Sequence, residues 1–147
     1  MALDDTIAAI ATPLGEGGLA VIRLSGAAAL AVADRCFAPA GKSSLKPSLA
    51  ATHTIQYGHV ARNGQRIDEV LVAVMRAPRS FTREDVVEIS CHGSPFVQQQ
   101  VIEACIRNGA RLAKPEAGQE QRQPAQHWSV WCYSPNSPTQ PVEGVVS

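Results

Sequence analysis

The sequence has no surplus of charge of either sign, few aromatic residues and no long hydrophobic run. Thirteen basic residues balance thirteen acidic ones, and aromatic residues make up 5% of the 147. Strong electrostatic binding of nucleic acid is not expected, because phosphate binding needs clustered Lys and Arg. No apolar run approaches the roughly 20 residues of a membrane helix, and the acidic start lacks the features of a signal peptide. We therefore expect a cytoplasmic protein without a membrane partner.

Motifs for nucleotide and metal binding are also missing from the sequence. No GxxxxGK[ST] motif occurs, so we predict no GTP site in this chain. The cysteines are Cys36, Cys91, Cys105 and Cys132, and their wide spacings match no zinc or redox motif. Four scattered histidines form no metal-binding constellation. The cysteines are expected to be reduced thiols that mostly fill the core.

Enough apolar residues are present, at 45%, to build a core. Short apolar runs over Thr6–Ala11 and Leu19–Leu24 predict two strands joined by a glycine loop. Alternating patterns predict strands around residues 55–59 and 70–74, and a further strand is predicted over residues 86–90. The first two of these flank Asn63-Gly64, a strong signal for a two-residue hairpin turn.

Two helices are predicted from capping residues and periodicity. Ser25 is a candidate N-cap for an amphipathic helix over roughly Ala27 to Cys36. Ser94-Pro95 predicts the start of a second helix, with Pro at its first position and Asn108-Gly109 as its end. The order ββα–βββ–α predicts a compact α+β fold, a mixed sheet with two main helices.

The character of the chain changes after Pro115. Residues 116–147 contain Gln-rich and Pro-rich stretches and show no helical or strand period, although Trp128 and Trp131 lie among them. We therefore predict a domain over residues 1–115 and a divergent, poorly ordered tail over residues 116–147.

Two charged residues within apolar strands are the candidate binding residues. Glu88 lies in Asp-Val-Val-Glu-Ile-Ser, and it is either an ordinary surface carboxylate or a pocket residue that must find paired donors. A pterin or guanine edge offers such donors side by side. Arg23 lies in Val-Ile-Arg-Leu-Ser-Gly and either extends to water or binds a ligand carbonyl or carboxylate.

Two weaker patterns have simpler interpretations. Gly15, Gly17 and Gly18 could cradle an anion with their backbone N–H groups, but such a loop is more often a tight turn. Cys91-His92 suggests a nucleophile and its base. Adjacent strand residues point to opposite faces, however, so we expect a structural role for His92, through packing or a backbone hydrogen bond.

Taken in order, several segments resemble the tRNA-modification GTPase family MnmE/TrmE. Each segment is weakly specific alone, but the ordered set spans residues 4 to 115 at compatible spacings. The matching segments are Asp5-Thr6-Ile7, Ala11-Thr12-Pro13, Gly15-Glu16-Gly17-Gly18, Arg23-Leu24-Ser25-Gly26, residues 80–88 with Cys91-His92-Gly93, and Arg111-Leu112-Ala113-Lys114-Pro115.

The resemblance implies a fold similar to the folate-binding domain of aminomethyltransferases, a constitutive homodimer and a tetrahydrofolate cofactor. Its forms would be 5-formyl-tetrahydrofolate or 5,10-methylene-tetrahydrofolate. In that family the full-length protein works with an MnmG-type flavoprotein to modify the wobble uridine of certain tRNAs. Arg23 and Glu88 match the family's folate-contacting positions, and no catalytic residue is carried over.

The resemblance stops after Pro115, where Glu116-Ala117-Gly118-Gln119 replaces the family's continuation. A third folate-contacting segment, the helical domain and the inserted GTPase are therefore not expected here. We expect this chain alone not to be catalytic. Two alternatives stay open: a truncated or frameshifted product without independent activity, and a stand-alone aminomethyltransferase-like one-carbon transferase.

Overall fold

The computed structural model describes residues 5–12, 17–80 and 82–113, together with the backbone of 128–133 and 141–146. Within these residues it shows an α+β fold with two α-helices and one sheet, which confirms the predicted fold class. The elements are β1 (Ile7–Ile10), β2 (Gly17–Ser25), α1 (Ala29–Cys36), β3 (Phe37–Pro39), a 3-10 turn (Pro47–Leu49), β4 (Thr54–Arg62), β5 (Gln65–Met75), β6 (Val86–Gly93), α2 (Pro95–Arg107), β7 (Arg111–Leu112), β8 (Trp128–Tyr133) and β9 (Pro141–Val146).

The sheet is mixed, as predicted, and mainly antiparallel. Its strand order is β3-β4-β5-β6-β2-β1-β8-β9, with β7 beside β1. Only β7 runs parallel to its neighbour among the described pairings. This strand order places β2 near the centre of the sheet. β2 pairs along its length with β6, a strand far from it in sequence.

One face of the sheet forms the core and the other carries the candidate site. On β2 the side chains of Ala20, Ile22 and Leu24 are buried, and α1 and α2 pack on this side of the sheet. The alternate residues, including Val21 and Arg23, are partly exposed on the opposite face. We call this opposite side the open face. The period of two in a strand therefore separates core residues from candidate binding residues.

The predicted hairpin is confirmed between β4 and β5. Asn63 and Gly64 have φ angles of 53° and 74°, the left-handed conformations that a two-residue hairpin turn requires. Asn tolerates this conformation better than other non-glycine residues, and glycine adopts it without strain.

The helix starts were predicted with mixed success. Pro95 is the first residue of α2 and Ser94 is its N-cap by position, but the Ser94 side chain makes no capping hydrogen bond. The prediction of Ser25 as the cap of α1 is wrong. That helix begins at Ala29, whereas Ser25 is the last residue of β2 and its hydroxyl bonds Thr82 and Glu84.

Several short elements were not predicted. Strand β3 follows α1 directly, and the 3-10 turn lies in a stretch that was expected to be an exposed loop, although its Pro47 is buried. The predicted order ββα–βββ–α therefore lacks β3, and β7 after α2. In the tail, the absence of a strand period did not reveal β8 and β9. Residues 114–127 and 134–140, and the side chains of Trp128 and Trp131, lie outside the described part.

Strands β1 and β7, which are far apart in sequence, are neighbours in the sheet. β7 pairs in parallel with β1, and the backbone N–H groups of Arg111 and Ala113 donate to Thr6 and Ala8. The Arg111 guanidinium also binds the Asp5 carboxylate, with Nη2 2.6 Å from Oδ2. The last described segment of the domain is therefore fixed beside the first. The predicted boundary near residue 115 stays a prediction.

Candidate ligand-binding site

Arg23 and Glu88, the two residues singled out in the sequence, are direct neighbours on the open face. They lie opposite each other on the central strands β2 and β6. Nη2 of Arg23 is 3.3 Å from Oε2 of Glu88, and the two side chains are 17% and 28% exposed. Glu88 is therefore a half-buried member of an ion pair, not an isolated surface carboxylate.

The surroundings of this ion pair combine partial burial with small neighbouring side chains. Burial lowers the pKa of Arg23 below its usual value, and the nearby charge and hydrogen bond of Glu88 oppose this shift. In the same row across the sheet, Ala9 lies opposite Arg23 and Ala73 lies opposite Glu88. Both neighbours are therefore small side chains, and Ala9 is buried.

Beyond Arg23 along β2, a cluster of polar side chains closes the open face. Ser25 and Thr82 are both buried, and their hydroxyl oxygens are 2.9 Å apart. The Ser25 hydroxyl also donates to Oε2 of Glu84 at 2.9 Å, and that of Ser80 donates to the backbone carbonyl of Glu84. The hydrogen bonds of Ser25 to Thr82 and Glu84 thus hold the loop between β5 and β6 against this end of β2.

In the other direction along the strands, the open face contains a cavity of about 390 Å³. Ser90 lines it, and lies two residues from Glu88 and opposite both Val21 and Leu71. The cavity therefore starts one strand period away from the ion pair. Its lining side chains are mainly apolar in the middle and polar at the far end: Leu19, Tyr57, Leu71, Ser90, Glu69 and His92.

His92, at the far end of the cavity, is held by Asp68. The backbone N–H of His92 donates to Oδ2 of Asp68 at 2.8 Å, and Nδ1 of its ring is 2.6 Å from Oδ1. The Asp68 side chain is 10% exposed and the His92 side chain 69%. Asp68 was not recognised as a partner in the sequence, because it lies 24 residues away on β5 and no local pattern connects the two.

The geometry does not support a Cys91–His92 nucleophile. Cys91 is buried on the core face, whereas His92 is exposed. Burial, with a smaller contribution from Asp68, raises the pKa of Cys91 to about 12, so its thiol stays protonated. Cys36 and Cys105 are also buried and unbridged, as expected for core thiols, while the side chain of Cys132 lies outside the described residues.

Other candidate sites are not found in the part of the chain that the structure describes. Its His, Cys, Asp and Glu side chains form no group of three or more suited to a metal ion. None of its helices is long and apolar enough to cross a membrane. Of the glycines proposed as an anion cradle, Gly17 and Gly18 belong to β2, and Gly15 lies outside the described residues.

The fold and site define a class: an α+β domain whose helices cover one face of a sheet, while the open face carries a half-buried ion pair beside a cavity. Comparison with known families is specific. The family model described as "GTP-binding protein TrmE N-terminus" matches residues 6–118, and the chain belongs to this family.

Curated relatives agree with this assignment. The chain is similar to the tRNA modification GTPase MnmE of Bacillus velezensis, at 54% identity over 114 residues, and to that of Listeria innocua, at 57% over 111 residues. The protein of the same name from Lactococcus lactis strain MG1363 is 52% identical over 111 residues. Each match covers 76% of this chain but only 23–24% of the relative. The chain thus matches about a quarter of the length of these relatives.

Proposed function

We propose that this chain is the tetrahydrofolate-binding and homodimerisation module of a tRNA wobble-uridine modification GTPase. The observation that carries the proposal is the Arg23–Glu88 pair, half-buried between two alanines and one strand period away from a cavity. Membership of the TrmE N-terminal family supplies the context. The names of the relatives support the link to tRNA modification.

The chemistry of the pair suits a pterin ring. The Glu88 carboxylate can accept the ring N–H and the neighbouring amino group together, a bidentate contact with geometric specificity. The guanidinium of Arg23 presents a planar set of donors to a carbonyl oxygen of the ligand. Because the two side chains already contact each other, Arg23 also orients Glu88 before the ligand arrives.

In the full-length protein, this module would supply the one-carbon unit and not the hydrolysis of GTP. The cofactor would be 5,10-methylene-tetrahydrofolate or 5-formyl-tetrahydrofolate, and the partners an MnmG-type flavoprotein and tRNA in the cytoplasm. The chain contains no P-loop motif, so GTP would bind elsewhere in such a protein.

Calorimetric titration of 5-formyl-tetrahydrofolate into the purified chain tests the folate proposal. We expect saturable binding in the micromolar range, because the polar groups of the site are already positioned. GTP titrated under the same conditions is expected to give no binding heat. Absence of folate binding by a chain whose circular dichroism shows a folded domain would refute the proposal.

The open face also supports homodimerisation by two copies of this chain. Of the large apolar side chains that are exposed, four lie on this face: Leu19, Ile55, Tyr57 and Leu71. Several exposed apolar side chains on one face of a sheet are typical of an interaction surface. We therefore propose that the partner copy packs on this face.

Replacing Ile55 by lysine is expected to convert the dimer into a monomer, because the change places a charge in the apolar patch. Ile55 is 67% exposed, so the fold should be unaffected. Leu49→Lys is a matched control, since Leu49 is 69% exposed but lies in the 3-10 turn, off the sheet. Size-exclusion chromatography with light scattering measures the mass. A dimeric Ile55→Lys variant, or a monomeric wild type, would contradict this surface.

A further inference from the structure

The ends of α1 and α2 bring two thiols together on the core face of the sheet. Cys36 is the last residue of α1, and Cys105 lies in the last turn of α2. The two residues are 1% and 0% exposed and belong to the same hydrophobic core. They are far apart in sequence, so their proximity depends on how the two helices pack. The pair lies on the side of the sheet opposite to the proposed ligand site.

The hydrogen bonds of Cys36 hold its sulfur against the part of α2 that carries Cys105. The Cys36 thiol donates to the backbone carbonyl oxygen of Ala104, and the Sγ–O distance is 3.4 Å. Nδ2 of Asn108 donates to the same sulfur, also at 3.4 Å. Ala104 and Asn108 precede and follow Cys105 within about one turn of the helix. The sulfur of Cys36 is therefore held at the turn of α2 that contains the second thiol.

The two thiols differ in how easily they lose a proton. Hydrogen bonding with Cys105 lowers the pKa of Cys36, burial opposes this shift, and Asn108 and the charge of Arg35 lower the pKa further. The same hydrogen bonding, together with burial, raises the pKa of Cys105 well above its usual value. The pair thus combines a sulfur suited to be a thiolate with a protonated neighbour that stabilises it, as in an attacking cysteine beside a resolving one.

The pair lies close to the surface, behind the ends of the two helices. Asn108 is the C-cap of α2 and is only partly buried. It is held by Arg35, an exposed residue whose Nη1 donates to the backbone carbonyl oxygen of Asn108 at 2.7 Å. Helix ends fray, so the contacts that cover the sulfur belong to a part of the fold that opens readily. A small oxidant can therefore reach Cys36 without global unfolding.

We infer that Cys36 and Cys105 form a redox modification site, at which a peroxide converts the two thiols into a disulfide that joins α1 to α2. In the first step the Cys36 thiolate attacks one oxygen of hydrogen peroxide. An S–O bond forms, the O–O bond breaks, and the leaving hydroxide takes up the proton that Cys36 released. The product is a sulfenic acid on Cys36 and one water molecule.

In the second step the sulfur of Cys105 attacks the sulfenic sulfur of Cys36. The S–S bond forms, the S–O bond breaks, and the leaving hydroxide takes up the Cys105 proton to give a second water molecule. Together the two thiols lose two electrons, which reduce the peroxide. Cys91, the other buried thiol of the core, is not part of the reaction, because burial keeps it protonated.

Peptide mapping of the peroxide-treated chain tests the inference. The reduced full chain is treated with a small excess of hydrogen peroxide, and its remaining thiols are blocked with N-ethylmaleimide in denaturant. Digestion combines trypsin with chymotrypsin, which cuts after Phe96 and so separates Cys91 from Cys105. Mass spectrometry is expected to show a disulfide between Cys36 and Cys105 that has lost two hydrogen atoms, and an alkylated Cys91.

Variants separate the roles of the two sulfurs. Cys105→Ala should leave Cys36 as a sulfenic acid, which dimedone traps, whereas Cys36→Ala should give neither this adduct nor a disulfide on Cys105. Cys91→Ala is the matched control, because it removes a buried core thiol outside the pair and should keep the Cys36–Cys105 bond. Circular dichroism checks that each variant is folded.

The map of the wild-type chain decides the inference even where a variant fails to fold. Cys36 and Cys105 that are both recovered alkylated, at a peroxide excess that oxidises free cysteine, would overturn it. A disulfide that joins either residue to Cys91 or Cys132 would also overturn it. Oxidation of the chain in urea should give mixed pairings, and the same mixture from the folded chain would show that the fold does not bring the two sulfurs together.

Discussion

Replacing Glu88 by alanine is expected to raise the dissociation constant for 5-formyl-tetrahydrofolate by roughly 100-fold. The change removes two charge-assisted hydrogen bonds to the pterin, a loss on the order of 3 kcal/mol, and each 1.4 kcal/mol corresponds to about a tenfold change in affinity. Glu88→Gln keeps the shape and one acceptor oxygen but loses the charge, so its effect should be intermediate. Calorimetric titration of the wild type, Glu88→Gln and Glu88→Ala measures the three dissociation constants, which should increase in that order.

Glu88→Ala is also expected to lower the stability of the fold, and this smaller effect needs its own control. Glu88 is part of a half-buried ion pair, so its loss is expected to cost about 1 kcal/mol of stability. The Arg62–Glu103 pair between β4 and α2 has nearly the same burial, at 20% and 30% exposed, but lies away from the open face. Glu103→Ala should therefore reduce stability similarly and leave folate binding unchanged. Equal folate affinity in wild type and Glu88→Ala would show that Glu88 is not in the site.

A large loss of stability is expected from Gly58→Ala. Gly58 lies in β4, and a methyl group added there would overlap the carbonyl oxygen of Ala38 and stand 2.6 Å from Cε1 of the buried Phe37. Because the backbone of β3 cannot move aside without breaking its pairing with β4, we expect a loss of about 3 kcal/mol. A decrease in Tm of roughly 10 °C corresponds to such a loss in a domain of this size.

Gly18→Ala is the matched control for this substitution. Gly18 is also a strand glycine, but a methyl group there would have no atom within 4 Å. Its Tm should stay within about 2 °C of the wild type or rise slightly, since alanine loses less conformational entropy than glycine on folding. Thermal unfolding followed by circular dichroism measures both variants. A Gly58→Ala variant as stable as Gly18→Ala would mean that β3 does not pack against β4 as described.

The sequence predicted those parts of the fold that local patterns determine. Apolar runs identified β1, β2 and β6, alternation identified β4 and β5, and the Asn63-Gly64 turn fixed how β4 and β5 pair. The short strands β3 and β7 could not be predicted, because strands of two or three residues have no measurable period and exist only through their neighbours. Ser25 was misread for a related reason. Its hydroxyl is a suitable helix cap, but tertiary contacts with Thr82 and Glu84 engage it instead.

The candidate site was predicted in part. Arg23 and Glu88 stood out because a charge inside an apolar strand must be explained, and their resemblance to family positions singled them out together. Their direct contact depends on the register between β2 and β6, which are separated by 60 residues of chain, so the sequence could not show it. The cavity and the Asp68–His92 contact depend on the same long-range pairing, together with that of β5 to β6. Periodicity assigns a residue to a face, but it does not show which residues meet across strands.

The pairing of β1 with β7 has a consequence for how the domain forms during synthesis. Arg111 and Asp5 are 106 residues apart in sequence, yet their contact and the hydrogen bonds beside it join β7 to β1. On the ribosome, β1 emerges first and receives this neighbour only when almost the whole domain has left the exit tunnel. Contacts of such long sequence separation slow folding, because a large loop must close before they form. The first strand to be made is therefore among the last to be completed, and the nascent domain becomes native late and as one unit.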